Sequence, residues 1–294
     1  MTTTPHVHLQ ATGRQPELAL PAIGQGTWYM GEGLAPKDQE VRALQQGLDQ
    51  GLTLIDTAEM YGEGAAETVV GEALRGRRDD AFVVSKVYPW NAGSTSAIEA
   101  CENSLKRLGI DCLDLYLLHW PGSIPLEETF EAFQRLQEQG KIRRFGVSNF
   151  DVDNMQAVQR ANGGSECAVN QVLYNLGSRG IEHSLRSWQQ EQDMPIMAYC
   201  PLAQGGRLGR ELLTDATVQD IASELKATPA QVLLAWAIRP VEGRRNVIAI
   251  PKAASTEHVE QNAAALSLQL NDDVLERLDK VFPAPRHKSP LDIV

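Results

Sequence analysis

Seven times along this chain a short apolar run breaks off on a polar side chain. Leu52 to Ile55 stops at Asp56, Phe82 to Ser85 at Lys86, Leu113 to Leu118 at His119, and Ile142 to Val147 at Ser148 and Asn149. Cys167 to Val169 stops at Asn170 and Gln171, Pro195 to Ala198 at Tyr199, and Asn246 to Ile250 at Pro251 and Lys252. An earlier, glycine-bearing run, Ile23 to Trp28, makes eight. A run that is apolar on both faces suits a parallel strand covered on both sides. Between the runs lie helical stripes: Val41, Leu44 and Leu48; Glu67 to Leu74; Ile98, Cys101, Leu105 and Leu108; Phe130, Phe133 and Leu136. Ile181 to Trp188, Val218 to Leu225, Pro229 to Ile238 and segments from Glu257 and Asp272 continue the scheme. Eight strands alternating with helices in 294 residues predict an α/β fold, the closed (β/α)8 TIM barrel. The competitor, an open doubly wound sheet, wants a Gly-x-Gly-x-x-Gly turn after its first strand, and the sequence has none there.

Val7 to Leu9 and Leu18 to Leu20 flank Gly13 and Pro16 and predict an N-terminal β-hairpin ahead of the barrel. His6 and His8 share one strand face, but no further ligand group stands near them, so no metal site is expected. No linker-like stretch divides the chain, and residues 1–294 are read as one domain. The excess of 38 acidic over 27 basic residues argues against nucleic acid as a partner. The opening residues carry neither a basic segment nor an apolar core, and no run approaches the length of a membrane span. With four cysteines dispersed inside apolar segments, a cytoplasmic protein with reduced thiols is expected.

In a barrel of this kind chemistry sits at the carboxyl-terminal ends of the strands. For one strand alone, a helix cap at Asp56 and simple packing of Tyr61 explain the residues equally well; seven strands presenting polar groups at the same end are harder to attribute to packing. With Asp56, Tyr61, Lys86 and His119 as neighbours at the mouth, an ammonium stabilises a phenolate and lowers the phenol's pKa. A carboxylate holds the ammonium in place, and an imidazole orients a substrate oxygen. None of the four is a convincing nucleophile. The set suits proton transfer to a carbonyl oxygen, with the electrons coming from a nicotinamide or flavin.

The segments Leu54-Ile55-Asp56-Thr57-Ala58-Glu59-Met60-Tyr61, Asp114 to Pro121, Gly146-Val147-Ser148-Asn149-Phe150 and Ile250-Pro251-Lys252 closely resemble the aldo-keto reductase family. Gln25 to Gly31 and Ser85 to Trp90 look like its bacterial members that reduce methylglyoxal and similar small aldehydes. The resemblance implies a monomeric, NADPH-dependent carbonyl reductase, with NADH as a second cofactor to be tested. It implies Tyr61 as general acid, Lys86 and Asp56 as its tuning pair, and His119 as the group that orients the carbonyl. Ser148, Asn149 and Gln171 would hold the nicotinamide carboxamide, and Tyr199 would stack on the ring. Gly26, Thr27 and Asp56 would lie near the ribose, and Pro201, Leu202, Gln204 and Gly206 at the pyrophosphate. Lys252, Ser255, His258, Gln261 and Asn262 would receive the adenosine 2′-phosphate and adenine.

Three positions depart from the family pattern. Ala253 stands where many relatives place a hydroxyl, His258 where they commonly place an arginine, and Gln261 where a glutamate is common. An imidazole grips phosphate less firmly than a guanidinium. For substrate, Trp28, Tyr88, Trp90 and Trp120 lie just beyond strand ends and predict an aromatic-walled pocket beside His119. The insertion Ala203 to Asp215 and the tail Arg286 to Val294 are expected to close over it. Substrates on this reading are a small-molecule carbonyl class: methylglyoxal-like or aromatic aldehydes, with keto-sugars or diketones as the alternative. A nucleotide-binding regulatory subunit on the same scaffold is the rival from another class, and a metal-dependent barrel hydrolase built on Asp56 and His119 is a third.

Overall fold

The computed structural model describes residues 4–203 and 211–294. Strands β1 (His6–Leu9) and β2 (Leu18–Pro21) pair antiparallel, Val7 opposite Leu20, as the alternation predicts. Val7, Leu9 and Leu20 are buried while His6 and His8 point outward. The hairpin lies against the amino-terminal ends of the barrel strands, where Arg144 donates to the Pro16 carbonyl.

The main sheet runs β3 (Gln25–Gly26), α1 (Lys37–Asp49), β4 (Leu54–Asp56), α2 (Ala65–Ala73), β5 (Phe82–Val87), α3 (Ser96–Leu108) and β6 (Leu113–Leu118). It continues through α4 (Leu126–Glu138), β7 (Ile142–Ser148), α5 (Val152–Arg160), β8 (Asn170–Leu173), α6 (Leu185–Glu191) and β9 (Ile196–Tyr199). Then come α7 (Ala216–Glu224), α8 (Pro229–Ala237), β10 (Val247–Ala249), α9 (Thr256–Ala264) and α10 (Asp272–Val281). Strands β3 to β10 pair in chain order, all parallel. Parallel bridges from Ile23 to Ala249 and from Gly26 to Lys252 join the two ends and close the barrel. At this seam Gly24 and Gly26 donate to the carbonyls of Ala249 and Pro251 at 2.8 and 3.0 Å.

The first strand is the shortest because its glycines are needed for close approach, not for packing. A Cβ on Gly26 would stand 2.6 Å from the Ile250 carbonyl oxygen, and one on Gly24 2.9 Å from that of Leu54. Beside them the buried Gln25 amide donates to the carbonyls of Leu44 and Leu52, joining β3 to α1 and to the segment before β4.

The structure departs from the periodicity in three places. Helix α5 was not expected: it buries only Met155 and Val158 and is specified instead by a capping box between Asp151 and Asn154. The helix expected from Ile181 to Trp188 is broken into a 3-10 turn, Gly180–His183, and α6. Strand β8 begins at Asn170 and not at Cys167.

A single methyl at the seam should therefore be costly. Gly26→Ala is expected to lower the unfolding free energy by about 1–3 kcal/mol or more, because backbone and not a mobile side chain must give way. Denaturant unfolding checks this, and an unchanged midpoint would show that the seam is looser than described.

Candidate active site

Strand register brings the sequence-predicted groups to one rim. Asp56 ends β4 and Lys86 lies one residue before the end of β5; His119, Ser148, Asn149, Gln171 and Tyr199 follow around the mouth. All of these but Lys86, which is buried behind Asp56 and Tyr61, line a cavity of about 730 Å³. Tyr61 reaches it from the 3-10 turn after β4, Tyr61–Gly64.

Lys86 is fully buried and has three acceptors for its three N–H groups: Asp56 Oδ2 at 2.7 Å, the Thr57 carbonyl at 2.9 Å and Tyr61 Oη at 2.9 Å. Since Lys86 donates to the phenol oxygen, the phenol's own hydrogen is free to point elsewhere. Asp56 is no helix cap: its other oxygen accepts Gln171 Nε2 at 2.7 Å. Behind Lys86, Ser85 donates to the buried Glu67 at 2.5 Å, and Arg107 pairs with the same carboxylate at 2.6 Å.

Burial dominates the electrostatics. It pushes the Asp56 carboxyl up, against the pull of Lys86 and Gln171, and the Lys86 ammonium down, against that of Asp56. It also holds the Tyr61 phenol well above its ordinary value of 10.0, with the Asp56 charge adding to the rise. The lowering of this phenol's pKa expected from Lys86 is thus overturned: desolvation outweighs the ammonium. The consequence is a phenol that keeps its proton until a reacting oxygen takes it, with an ammonium already in place for the phenolate. Burial, then the Lys86 charge, press the His119 imidazole well below 6.5, so the ring is neutral. Its Nδ1 is buried without a partner among the described residues, which leaves Nε2 to face the cavity that His119 lines.

By side-chain character the lining residues sort into two sets, called banks below. Gly26, Thr27, Ser148, Asn149, Gln171, Tyr199, Pro201, Leu202 and Lys252 form the more polar one. There Ser148 Oγ donates to the Gln171 carbonyl at 2.9 Å, and Tyr199 donates to Asn149 Oδ1 at 2.8 Å. Trp28 and Trp120 stand on the apolar bank with Tyr29, Leu34, Met60, Pro121, Ile293 and Val294. Tyr29, Leu34 and Met60 escaped sequence reasoning, because loop residues carry no periodicity, although Tyr29 and Met60 sit inside segments that carry the family resemblance. Ile293 and Val294 belong to the tail expected to close over the site, and Ser178 bonds the preceding Asp292. Tyr29, Asn149 and Cys200, all lining the cavity, have positive φ of 67°, 62° and 49°.

Other expected residues lie elsewhere. Tyr88 and Trp90 are not among the lining residues: they stack on each other at 4.3 Å and meet the Trp120 ring edge to face. Glu59 holds their turn by accepting the Tyr88 N–H at 2.7 Å. Ser255, His258, Gln261 and Asn262 are on and beside α9, where Ser255 caps the helix by accepting the His258 N–H. Gln204 and Gly206 lie outside the described residues. No group of three or more His, Cys, Asp or Glu side chains that could hold a metal ion occurs among the described residues.

Comparison with known proteins places this geometry in a family. A sequence model of the Aldo/keto reductase family matches residues 22–282. Methylglyoxal reductase YeaE of Escherichia coli K12 is 58% identical over 278 residues, 95% of this chain and 96% of that protein. Glyoxal reductase of Bacillus subtilis is 30% identical, with 88% of each chain covered. The crystal structure of an aldo/keto reductase from Klebsiella pneumoniae, in complex with NADP and acetate, superposes with a TM-score of 0.93. It has 54% identity and covers 99% of this chain and 100% of that one.

The burial of the two titrating groups can be measured without substrate. By imidazole NMR, His119 should stay neutral at pH 6.5 and protonate only well below it, since burial disfavours the cation; a midpoint at or above 6.5 would contradict the site as described. In ultraviolet titration against Tyr61→Phe, the Tyr61 phenolate should be absent at pH 10.

Proposed function

The chain belongs to the aldo/keto reductase family, and from that premise we propose that it reduces small aldehydes and ketones to alcohols with NADPH, Tyr61 giving the proton. The observation that carries this reading is the spent ammonium: Lys86 directs all three N–H groups at fixed acceptors, one of them Tyr61 Oη. A carbonyl oxygen entering between Tyr61 and His119, whose rings are 5.9 Å apart edge to face, meets the phenol hydrogen and the neutral imidazole together. As the oxygen gains charge it takes the Tyr61 proton, and Lys86 stabilises the phenolate left behind. Solvent then restores the proton.

The polar bank suits a nicotinamide: Ser148, Asn149 and Gln171 offer amide and hydroxyl partners for a carboxamide, and Tyr199 a flat ring beside them. Bound NADPH supplies the hydride to the carbonyl carbon. Gly26, Thr27 and Asp56 would lie at the ribose, Pro201 and Leu202 at the pyrophosphate, and Lys252, Ser255, His258, Gln261 and Asn262 at the adenosine end. With His258 in place of a fixed guanidinium, NADH would be tolerated more readily, and His258→Arg should raise the NADPH-to-NADH ratio of kcat/KM. An unchanged ratio would remove His258 from the phosphate site.

The names of the relatives from Escherichia coli and Bacillus subtilis support methylglyoxal-like substrates. The apolar bank adds a place for an aromatic aldehyde between Trp28 and Trp120. Trp120→Ala is accordingly expected to raise KM for benzaldehyde more than for methylglyoxal; equal changes would put the aromatic group elsewhere. The reading includes a cytoplasmic monomer, as expected from the sequence. A regulatory subunit would have no use for a phenol held by a saturated, buried ammonium.

Tyr61→Phe tests the whole scheme. Turnover with methylglyoxal and NADPH should fall by roughly 10²–10⁴-fold or vanish while NADPH affinity is nearly unchanged, because the change removes one proton and little contact area. Undiminished turnover would exclude Tyr61 as the donor.

A further inference from the structure

Gln171 does more in this structure than line the polar bank. Asp56 is buried, with 1% of its surface exposed, and each carboxylate oxygen has one short bond from a different side of the barrel mouth. Lys86 Nζ on β5 reaches Oδ2 at 2.7 Å, and Gln171 Nε2 on β8 reaches Oδ1 at 2.7 Å. An ionised carboxylate only accepts, so the Gln171 amide cannot turn over: nitrogen must face Asp56. Its Oε1 is thereby turned away from Asp56, on a side chain that lines the cavity. The backbone of the same residue is fixed as well, its carbonyl accepting Ser148 Oγ at 2.9 Å and the Asn149 N–H at 2.8 Å.

We propose that Gln171 is a positioning residue for the proton donor, acting through Asp56 to hold the carboxylate on Lys86, and that its amide couples the cofactor site to Tyr61. The proposal rests on the reductase reading above. Without Gln171, one oxygen of a buried carboxylate loses its partner. Asp56 then rotates or takes a proton, Lys86 loses its counter-charge in an apolar setting, and the phenolate loses its stabilising ammonium. A carboxamide donating to Oε1 polarises the amide and strengthens its N–H bond to Asp56, so an occupied cofactor site tightens the proton relay.

A double-mutant cycle tests this: Asp56→Asn, Gln171→Leu and the pair, with kcat for methylglyoxal at saturating NADPH and, separately, NADPH affinity from quenching of protein fluorescence. Each single change should lower kcat by roughly tenfold or more, and the pair should be no worse than Asp56→Asn alone within about threefold, the mark of one pathway. In Gln171→Leu the activity should also fall away, as pH decreases, at a higher pH than in the wild type, since Asp56 then protonates more easily. Additive losses, or a loss confined to NADPH affinity with kcat intact, would overturn the proposal and leave Gln171 as a cofactor contact only. Gln171→Met, which keeps the side-chain length, repeats the cycle if the leucine variant unfolds early by thermal melt. A wild-type protein that reduces no carbonyl with NADPH would overturn the reductase reading itself, an outcome distinct from additivity.

Discussion

An ammonium with no water around it is the constraint on which this site depends. Lys86 is 0% exposed, and a charge so placed persists only if every N–H finds an acceptor and a counter-charge lies in contact. Asp56, the Thr57 carbonyl and Tyr61 meet that demand. Each is fixed in turn: Asp56 by β4 and Gln171, Thr57 by its N–H bond to the Val84 carbonyl, and Tyr61 by its N–H bond to the Ala58 carbonyl. The demand of a buried charge for partners thus determines where the phenol stands.

The same desolvation explains why phenol and imidazole enter the reaction in their neutral forms. Burial raises one and lowers the other, so a single environment yields a proton donor that retains its proton and an orienting ring that carries no charge. The ammonium matters most once the proton has left. Interactions that strengthen as charge develops raise the rate of a reaction more than those already complete in the ground state.

The barrel was legible in the sequence because short apolar runs recur between helical stripes, and most of the runs break off on polar residues that the fold gathers at the mouth. Asp56, Lys86 and His119 followed from those breaks, and Tyr61 from the turn after the first of them. Less was legible where local rules are silent. Helix α5 has too few buried positions to make a stripe. Tyr88 and Trp90 stand beyond strand ends as Trp120 does, but they stack on each other beside a turn held by Glu59, a pairing that spacing does not announce. The bond between Gln171 and Asp56 spans 115 residues of chain, so no spacing announces it, although both residues were placed at the mouth. Tyr29, Leu34 and Met60 belong to loops whose path depends on what they pack against.

The division of labour between strands and loops has a consequence for how such a protein changes over time. Asp56, Lys86 and Gln171 are built into the hydrogen-bonded staves of the barrel, whereas Trp28, Tyr29, Leu34, Met60 and Trp120 hang from the connections above them. Drift in those connections can reshape what the mouth admits while the proton-handling groups stay put. Diversity among descendants of this chain should accordingly collect in what they accept and leave the chemistry they perform almost untouched.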